Sequence, residues 1–150
     1  SKKEIFRGLV QEEFDTSSAY IDQVMTSGEP LASRLIEVGE HFLQQFVADP
    51  EQSRFMLVVI KMALHDEATH QMLIHLQESY IERISGLLEE GIADGALRPM
   101  DTESVAIILK AMLDGIQASI AVGYSPDLDR LLPAAVDLLT SGLFPSAPSS

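Results

Sequence analysis

Histidine and acidic side chains are the residues of this chain best suited to hold a metal. They come closest together in the segment His65-Asp66-Glu67-Ala68-Thr69-His70. A zinc-peptidase helix needs two histidines four residues apart, with glutamate directly after the first. Here the two histidines are five apart, about 140° out of line around a helix, and aspartate follows the first. The segment therefore does not fit a zinc-peptidase site.

The same segment contains one half of a di-iron carboxylate motif, Glu67-x-x-His70. Helical bundles that bind two iron ions need a second half with the same spacing and two further glutamates. The residues three positions before His41, His65 and His75 are valine or methionine, so no second half exists. We therefore expect no metal centre and no cofactor, and a single structural ion is the alternative.

The sequence contains no pattern for a catalytic nucleophile or for a bound nucleotide. It has no cysteine, and it has no Gly-x-Ser-x-Gly turn, glycine-rich phosphate loop or dinucleotide fingerprint. Most of its serines stand at predicted helix starts and breaks, where capping is their ordinary role. We expect no catalytic residues and no enzymatic activity. A stand-alone helical enzyme or metal-binding protein is the alternative.

Aromatic and methionine side chains are the best candidates for contacts to a small molecule. They recur on helices that would surround an apolar third helix, and such side chains line adaptable pockets. The same spacing is also typical of a filled core, which is the alternative. Hydrogen bonds from Tyr80, Gln117 and His65 would orient a ligand. The candidate ligand-binding residues are Phe42, Phe46, Phe55, Val59, Met62, His65, Tyr80, Met112 and Ile116.

The amino-acid composition of the chain argues against one class of binding partner, nucleic acid. The 150 residues include 10 Lys and Arg against 23 Asp and Glu, which gives a formal net charge of −13. Binding to phosphates depends on Lys and Arg, so the acid excess argues against direct nucleic-acid binding by this chain. The absence of cysteine fits a reducing compartment, and the first residues lack the apolar run of a signal peptide. We expect a cytoplasmic location without a membrane partner.

Capping signals divide the chain into six helices and predict an all-α fold. The segment Ser1-Lys2-Lys3-Glu4 has the pattern of a capping box at the start of the first helix. Asp49, Asp66 and Asp101 are the expected N-caps of the third, fourth and fifth helices. Gly95 is the expected left-handed C-cap of the fourth helix.

Three further features of the sequence lead to specific structural predictions. Residues 55–64 are apolar on nearly every side, which predicts a central helix covered all round, with a buried strand as the alternative. Pro133 falls inside the sixth helix and should kink it. Residues 144–150, rich in proline and small residues, are expected to form a flexible tail after a domain that spans residues 1–143.

The fifth and sixth predicted helices each carry two apolar stripes. The stripes expected to face the core of the chain are Val105, Ile108, Leu109, Met112, Ile116 and Ile120 on the fifth helix, and Leu128, Leu132, Ala135, Val136, Leu139 and Leu143 on the sixth. The second stripes are Ile107, Ala111, Gly115, Ala118 and Val122 on the fifth helix, and Leu131, Ala134, Leu138 and Gly142 on the sixth.

A surface helix needs only one apolar stripe. Two neighbouring helices with a spare stripe each predict a homodimer that is closed by a four-helix bundle around a two-fold axis. The alternative is that other helices of the same chain cover the second stripes. A membrane span is a poor interpretation of the fifth helix, because Lys110, Asp114 and Gln117 stand in its middle.

The two ends of the chain resemble the tetracycline-repressor (TetR) family of transcriptional regulators. In that family Ser-Lys-x-x-Leu-Phe opens the helix that follows the DNA-binding helix-turn-helix, and this chain opens with Ser1-Lys2-Lys3-Glu4-Ile5-Phe6. The C-terminal signature is seen in the order Glu90-Gly91-Ile92-Ala93-Asp94-Gly95-Ala96-Leu97-Arg98, Asp101, Leu113-Asp114-Gly115-Ile116 and Ser141-Gly142-Leu143. The helix lengths between these signatures also fit.

The resemblance implies that this sequence begins just after the helix-turn-helix. Residues 1–143 would then form the effector-binding and dimerisation domain, whose last two helices build the dimer bundle. A small apolar or amphipathic effector would bind among the helices and release the repressor from its operator. DNA would be contacted only through the missing N-terminal domain, next to which Lys2, Lys3 and Arg7 would lie. A helical interaction module without a ligand is a further alternative.

Overall fold

The computed structural model describes residues 1–143 and Pro145, and within them it contains six α-helices and no β-strand. The predicted all-α fold is confirmed, and residues 55–63 are helical and not a buried strand, with Leu64 in the turn that follows. The predicted tail, residues 144–150, lies outside the described residues apart from Pro145. The helices are α1 (Lys2–Met25), α2 (Leu31–Ala48), α3 (Pro50–Ala63), α4 (Glu67–Ala93), α5 (Thr102–Ala121) and α6 (Leu128–Leu143).

The helices begin where the capping signals predict. The Ser1 hydroxyl accepts from the backbone amide of Glu4, and the Glu4 side chain accepts in return from the N-terminal amino group of Ser1, which completes the capping box. Asp49, Asp66 and Asp101 each accept a hydrogen bond from the amide three residues later. Gly95 follows α4 with a φ of 75°, as predicted for a left-handed C-cap.

Two apolar clusters hold the helices together. The larger one joins α2, α4 and α5 with the turn after α4, and its buried members are Leu31, Ile81, Leu87, Leu88, Leu97 and Ala106. The smaller one joins α1, α3 and α4 through Val10, Val59 and Leu76. The two clusters leave the space between α2 and the middle of α5 without a packed core, and the candidate site lies there.

Gly91 on α4 packs directly against the side chains of two buried leucines in the larger cluster. A Cβ atom at this position would lie well inside van der Waals contact of Leu31 Cδ2 and 2.8 Å from Leu97 Cδ1. We expect Gly91→Ala to lower the free energy of unfolding by about 1–3 kcal/mol, because both leucines are buried and have little room to move. Chemical denaturation measures this.

Gly86 in the same helix provides the matched control. It is exposed, and a Cβ atom there would meet nothing within 4 Å. Gly86→Ala should stabilise the protein by roughly 0.5–1 kcal/mol through helix propensity alone. Equal effects of the two substitutions would refute the close approach at Gly91.

Asp66 ties the start of α1 to the start of α4. Its two carboxylate oxygens accept from Lys3 Nζ at 3.2 Å and from Arg7 Nη1 at 3.1 Å. The backbone amide and the hydroxyl of Thr69 donate to the same carboxylate at 3.0 and 2.6 Å. Hydrogen bonds from Thr69 and then from Lys3 lower the pKa of Asp66 from 3.8 to about 2.

Replacing Asp66 by asparagine should destabilise the protein near neutral pH and leave it unaffected in strong acid. A lowered folded-state pKa means that the carboxylate stabilises the fold above its unfolded pKa of 3.8, and that this contribution is lost as pH falls through about 2. Thermal unfolding across this pH range should show the melting temperatures of wild type and Asp66→Asn converging as the pH falls. Asp101 caps α5 without forming an ion pair in residues 1–143. Asp101→Asn should therefore lower the melting temperature near neutral pH less than Asp66→Asn does.

The prediction that α3 is covered all round is wrong. Val59 is buried, but Val58 and Ile60 are 46% and 49% exposed, and Leu64 beyond the helix end is 73% exposed. The reason is that α1, α2, α4 and α5 pack around only part of α3. Apolar residues on every side of a short helix therefore did not indicate burial on every side. The predicted kink at Pro133, which lies inside α6, stays a prediction.

Candidate functional site

A cavity of about 450 Å³ opens between the helices, a volume that suits a drug-sized molecule. All six helices contribute to its wall, which is mostly apolar. Helix α2 supplies one side with residues that recur every three or four positions. Its cavity-lining residues are Ala32, Leu35, Ile36, Val38, Gly39, Glu40, Phe42, Leu43 and Phe46.

The opposite wall, on α1, α4 and α5, carries polar groups. Lys110 Nζ lies 5.3 Å from the centre of the Tyr80 ring and donates to Asp114 Oδ2 at 2.7 Å. Phe14 packs its ring edge against Tyr80, with the ring centres 5.0 Å apart. Burial raises the pKa of the Tyr80 phenol, and the nearby carboxylates of Glu13 and Asp114 raise it further. A hydrogen bond with Ser17 acts in the opposite direction, and the net rise in pKa keeps the phenol neutral near pH 7.

The charged groups of the wall differ in whether they are paired. Arg83 forms an ion pair with Asp22, and Lys110 forms one with Asp114. Glu13 and Glu40 also line the cavity, and neither forms an ion pair within the described residues. The lining therefore holds three carboxylates against two cations, so its electrostatic balance is slightly negative.

The structure brings five of the nine candidate ligand-binding residues together in the wall of the cavity. They come from α2, α4 and α5 and are Phe42, Phe46, Tyr80, Met112 and Ile116. Phe42 and Phe46 stack with a ring-centre distance of 6.4 Å, and Phe42 also meets Tyr20 edge-on at 6.1 Å. Spacing along the sequence thus identified three of the four aromatic residues that line the cavity and missed Phe14.

The other four candidates lie away from the cavity. Val59 belongs to the smaller core cluster, and Phe55 stacks on Phe6 with ring centres 5.6 Å apart. Met62 is half-buried without lining the cavity, and His65 is exposed in the turn between α3 and α4. The physical reason is the rotation of α3, whose cavity-facing residues are Ser53, Met56, Leu57 and Ile60.

The candidate set missed most of the polar residues in the wall. Lys110 and Asp114 stand four apart inside an apolar helix, and this spacing was itself a signal for an ion pair on one helix face. Glu13, Glu40 and Gly39 gave no such signal, because acidic and small residues occur all along this chain. Only the packing of α1 against α2 and α4 brings them to the cavity.

The second apolar stripes of α5 and α6 lie largely at the surface. Ile107, Ala111, Gly115 and Val122 are exposed on α5, while Ala118 is half-buried and lines the cavity. Ala134, Leu138 and Gly142 are exposed on α6, and Leu131 is half-buried. The placement of Ile108 in the core stripe is wrong, because this side chain is 58% exposed beside Ile107. Met112, at 36% exposed, faces the cavity opening.

The described part of the chain also bears on two other types of site, a metal centre and a membrane span. Residues 1–143 and Pro145 contain no group of three or more His, Asp or Glu side chains that would hold a metal ion. One helix, α5, is long and apolar enough to cross a membrane, a test that core helices of soluble proteins also pass. The ion pair of Lys110 with Asp114 lies in the middle of this helix.

Comparison with known proteins places this geometry in a family. The family model for the C-terminal domain of BetI-type transcriptional repressors matches residues 31–143, which span α2 to α6. A solved structure of a protein described as a transcriptional regulator from Saccharomonospora viridis, in complex with choline, has the same fold with a TM-score of 0.79. The two chains are 14% identical over 97% of this chain and 77% of the other. No curated protein gives a significant match. The chain belongs to the BetI-type C-terminal domains of TetR-family transcription regulators, which are not enzymes.

Proposed function

We propose that this domain senses a small amphipathic molecule in the 450 Å³ cavity and thereby releases a dimeric repressor from operator DNA in the cytoplasm. The observation that carries the proposal is the cavity itself, whose wall on α2 is apolar apart from Glu40 and whose opposite wall on α1, α4 and α5 carries the other charged groups. A solid helical module would fill this space with side chains. The alternative of an interaction module without a ligand is therefore less well supported.

The charge and size of the cavity favour a cationic head group on an apolar body. The regulator from Saccharomonospora viridis binds choline, a quaternary ammonium compound. Within the described residues, Glu13 and Glu40 form no ion pair, and they lie in a wall that also contains aromatic rings, whose faces attract cations. A cavity of this volume has room for a molecule considerably longer than choline. We infer a ligand with an extended apolar part.

Helix α1 is suited to transmit binding. Its middle lines the cavity through Val10, Glu13 and Phe14, and its first two turns hold the ion pairs with Asp66. A ligand that favours one position of α1 over another would shift its N-terminal end, where a DNA-binding domain would be attached. The ligand can change the balance between the two arrangements only as far as its difference in affinity for them allows.

The proposal is tested with matched amphiphiles on the full-length regulator, at concentrations below micelle formation. Decyltrimethylammonium should raise the melting temperature more than decanoate or decanol do, since only its head group is cationic. It should also lower the affinity for labelled operator DNA in an anisotropy assay. If none of the three amphiphiles changes either quantity, the domain is not a sensor of this class of molecule.

A further inference from the structure

Lys110 occupies an unusual position in the polar wall of the cavity. Its side chain is only 15% exposed, although it belongs to a helix with an exposed apolar face. The ammonium group lies between the π-face of Tyr80, at 5.3 Å, and the carboxylate of Asp114, at 2.7 Å. These two groups are the partners that a bound organic cation would seek, because the ring attracts positive charge and the carboxylate neutralises it.

We propose that Lys110 is a tethered competitor, whose ammonium group fills the organic-cation subsite formed by Tyr80 and Asp114 until a ligand's cationic head displaces it. This inference rests on the proposed sensing function and adds the location of the head-group subsite. A ligand that enters must break the Lys110–Asp114 ion pair. Lys110 therefore sets a threshold that a weakly binding cation does not overcome.

The surrounding charges favour competition over direct anion binding by Lys110. An anion recruited by Lys110 would approach the carboxylates of Asp114 and Glu13, both of which act on the Tyr80 hydroxyl. Like charges repel, and because the side chain of Asp114 is 49% exposed, solvent reduces this repulsion without removing it. A cation at the same place meets two carboxylates and the face of one aromatic ring once the lysine side chain has moved aside, and the nearby guanidinium of Arg83 is itself paired with Asp22.

Removal of the lysine charge should open the subsite. The probe is tetramethylammonium, which has no apolar tail and so reports on the head-group subsite alone. We expect Lys110→Met to bind it about tenfold more tightly than wild type in calorimetric titrations, the size expected for a freed aromatic face. Lys110→Gln should show the same gain, and Lys110→Arg, which keeps the charge, should not.

A matched control separates the local effect from a general increase in negative charge. Lys61 on α3 is exposed and does not line the cavity, so Lys61→Met removes the same charge elsewhere. It should leave tetramethylammonium binding unchanged. Adding Tyr80→Leu to Lys110→Met should abolish the gain, since the ring that receives the cation is gone.

Three results would overturn the competitor role. In the first, Lys110→Met binds tetramethylammonium no more tightly than Lys61→Met does. In the second, Lys110→Met loses affinity for decanoate without gaining any for tetramethylammonium, which would make Lys110 an anion anchor. In the third, decyltrimethylammonium binds wild type and Lys110→Met equally, so the sensing proposal stands without the competitor. Failure of every amphiphile to bind any variant would instead overturn both proposals.

Discussion

Glutamate at both Ile107 and Leu138 is expected to dissociate the proposed homodimer into monomers. These side chains belong to the second stripes of α5 and α6 and are 47% and 63% exposed in the single chain. Around a two-fold axis each substitution acts twice, so four carboxylates would enter one apolar bundle in a chain that already carries −13. We expect the dimer to weaken at least a hundredfold, on the order of 3 kcal/mol.

Sedimentation velocity over a range of concentrations measures this change. The matched control is the double substitution Val58→Glu and Ile74→Glu, which adds the same charge at two side chains that are 46% and 45% exposed on α3 and α4. The control should remain dimeric. Dissociation of both double variants to the same extent would mean that net charge and not the α5–α6 face governs assembly.

Filling the cavity from Gly39 is expected to abolish ligand binding while stabilising the fold. Gly39 lines the cavity in the middle of α2, and a Cβ atom there would meet nothing within 4 Å. In Gly39→Leu the new side chain would occupy space that the ligand needs. Loss of glycine from a helix interior adds about 1 kcal/mol of stability, and burial of the leucine adds more. We expect affinity for decyltrimethylammonium to fall at least a hundredfold.

The diagnostic result for Gly39→Leu is a fall in ligand affinity together with a rise in stability. Gly86 is exposed on α4 and does not line the cavity. The control Gly86→Leu should therefore be stabilised through helix propensity and keep the ligand affinity of wild type. A Gly39→Leu protein that binds decyltrimethylammonium as wild type does would place the ligand outside this cavity. A Gly39→Leu protein with a lower melting temperature than wild type would show that the space near Gly39 is not available to a larger side chain.

The sequence alone predicted the helices well because their ends depend on local chemistry. Asp66 caps α4 with its own side chain, and Gly95 ends it with a positive φ that other residues adopt only with strain. Both effects act within four residues, so they can be read without knowledge of the fold. The spare stripes of α5 and α6 were likewise visible, since helical periodicity separates the faces of each long helix.

The cavity wall could be predicted only in part, because it depends on how each helix is rotated. Helix α3 is apolar on every side, so its composition does not distinguish buried Val59 from cavity-facing Met56 or from exposed Val58. Ile108 was wrongly placed in the core for the same reason, because apolar residues occupy more than one face of α5 and its packing leaves Ile108 exposed beside Ile107. Lys110 was visible as a charge in an apolar helix, but its contact with Tyr80 required the packing of α4 against α5.

The methionines offer the most direct test of the claim that a ligand binds in the cavity. The chain has six, and Met25, Met56 and Met112 line the cavity. The other three, Met62, Met72 and Met100, do not line it and serve as internal controls. Selective labelling of the methionine methyl groups lets nuclear magnetic resonance follow all six during one titration with decyltrimethylammonium.

The account predicts saturable shifts of the methyl signals of Met25, Met56 and Met112 at one ligand-binding affinity, with much smaller changes at the three controls. In Gly39→Leu the same three signals should no longer respond. Shifts centred on Met62, Met72 or Met100, or a titration that leaves all six signals unchanged, would contradict the assignment of this cavity as the sensing site.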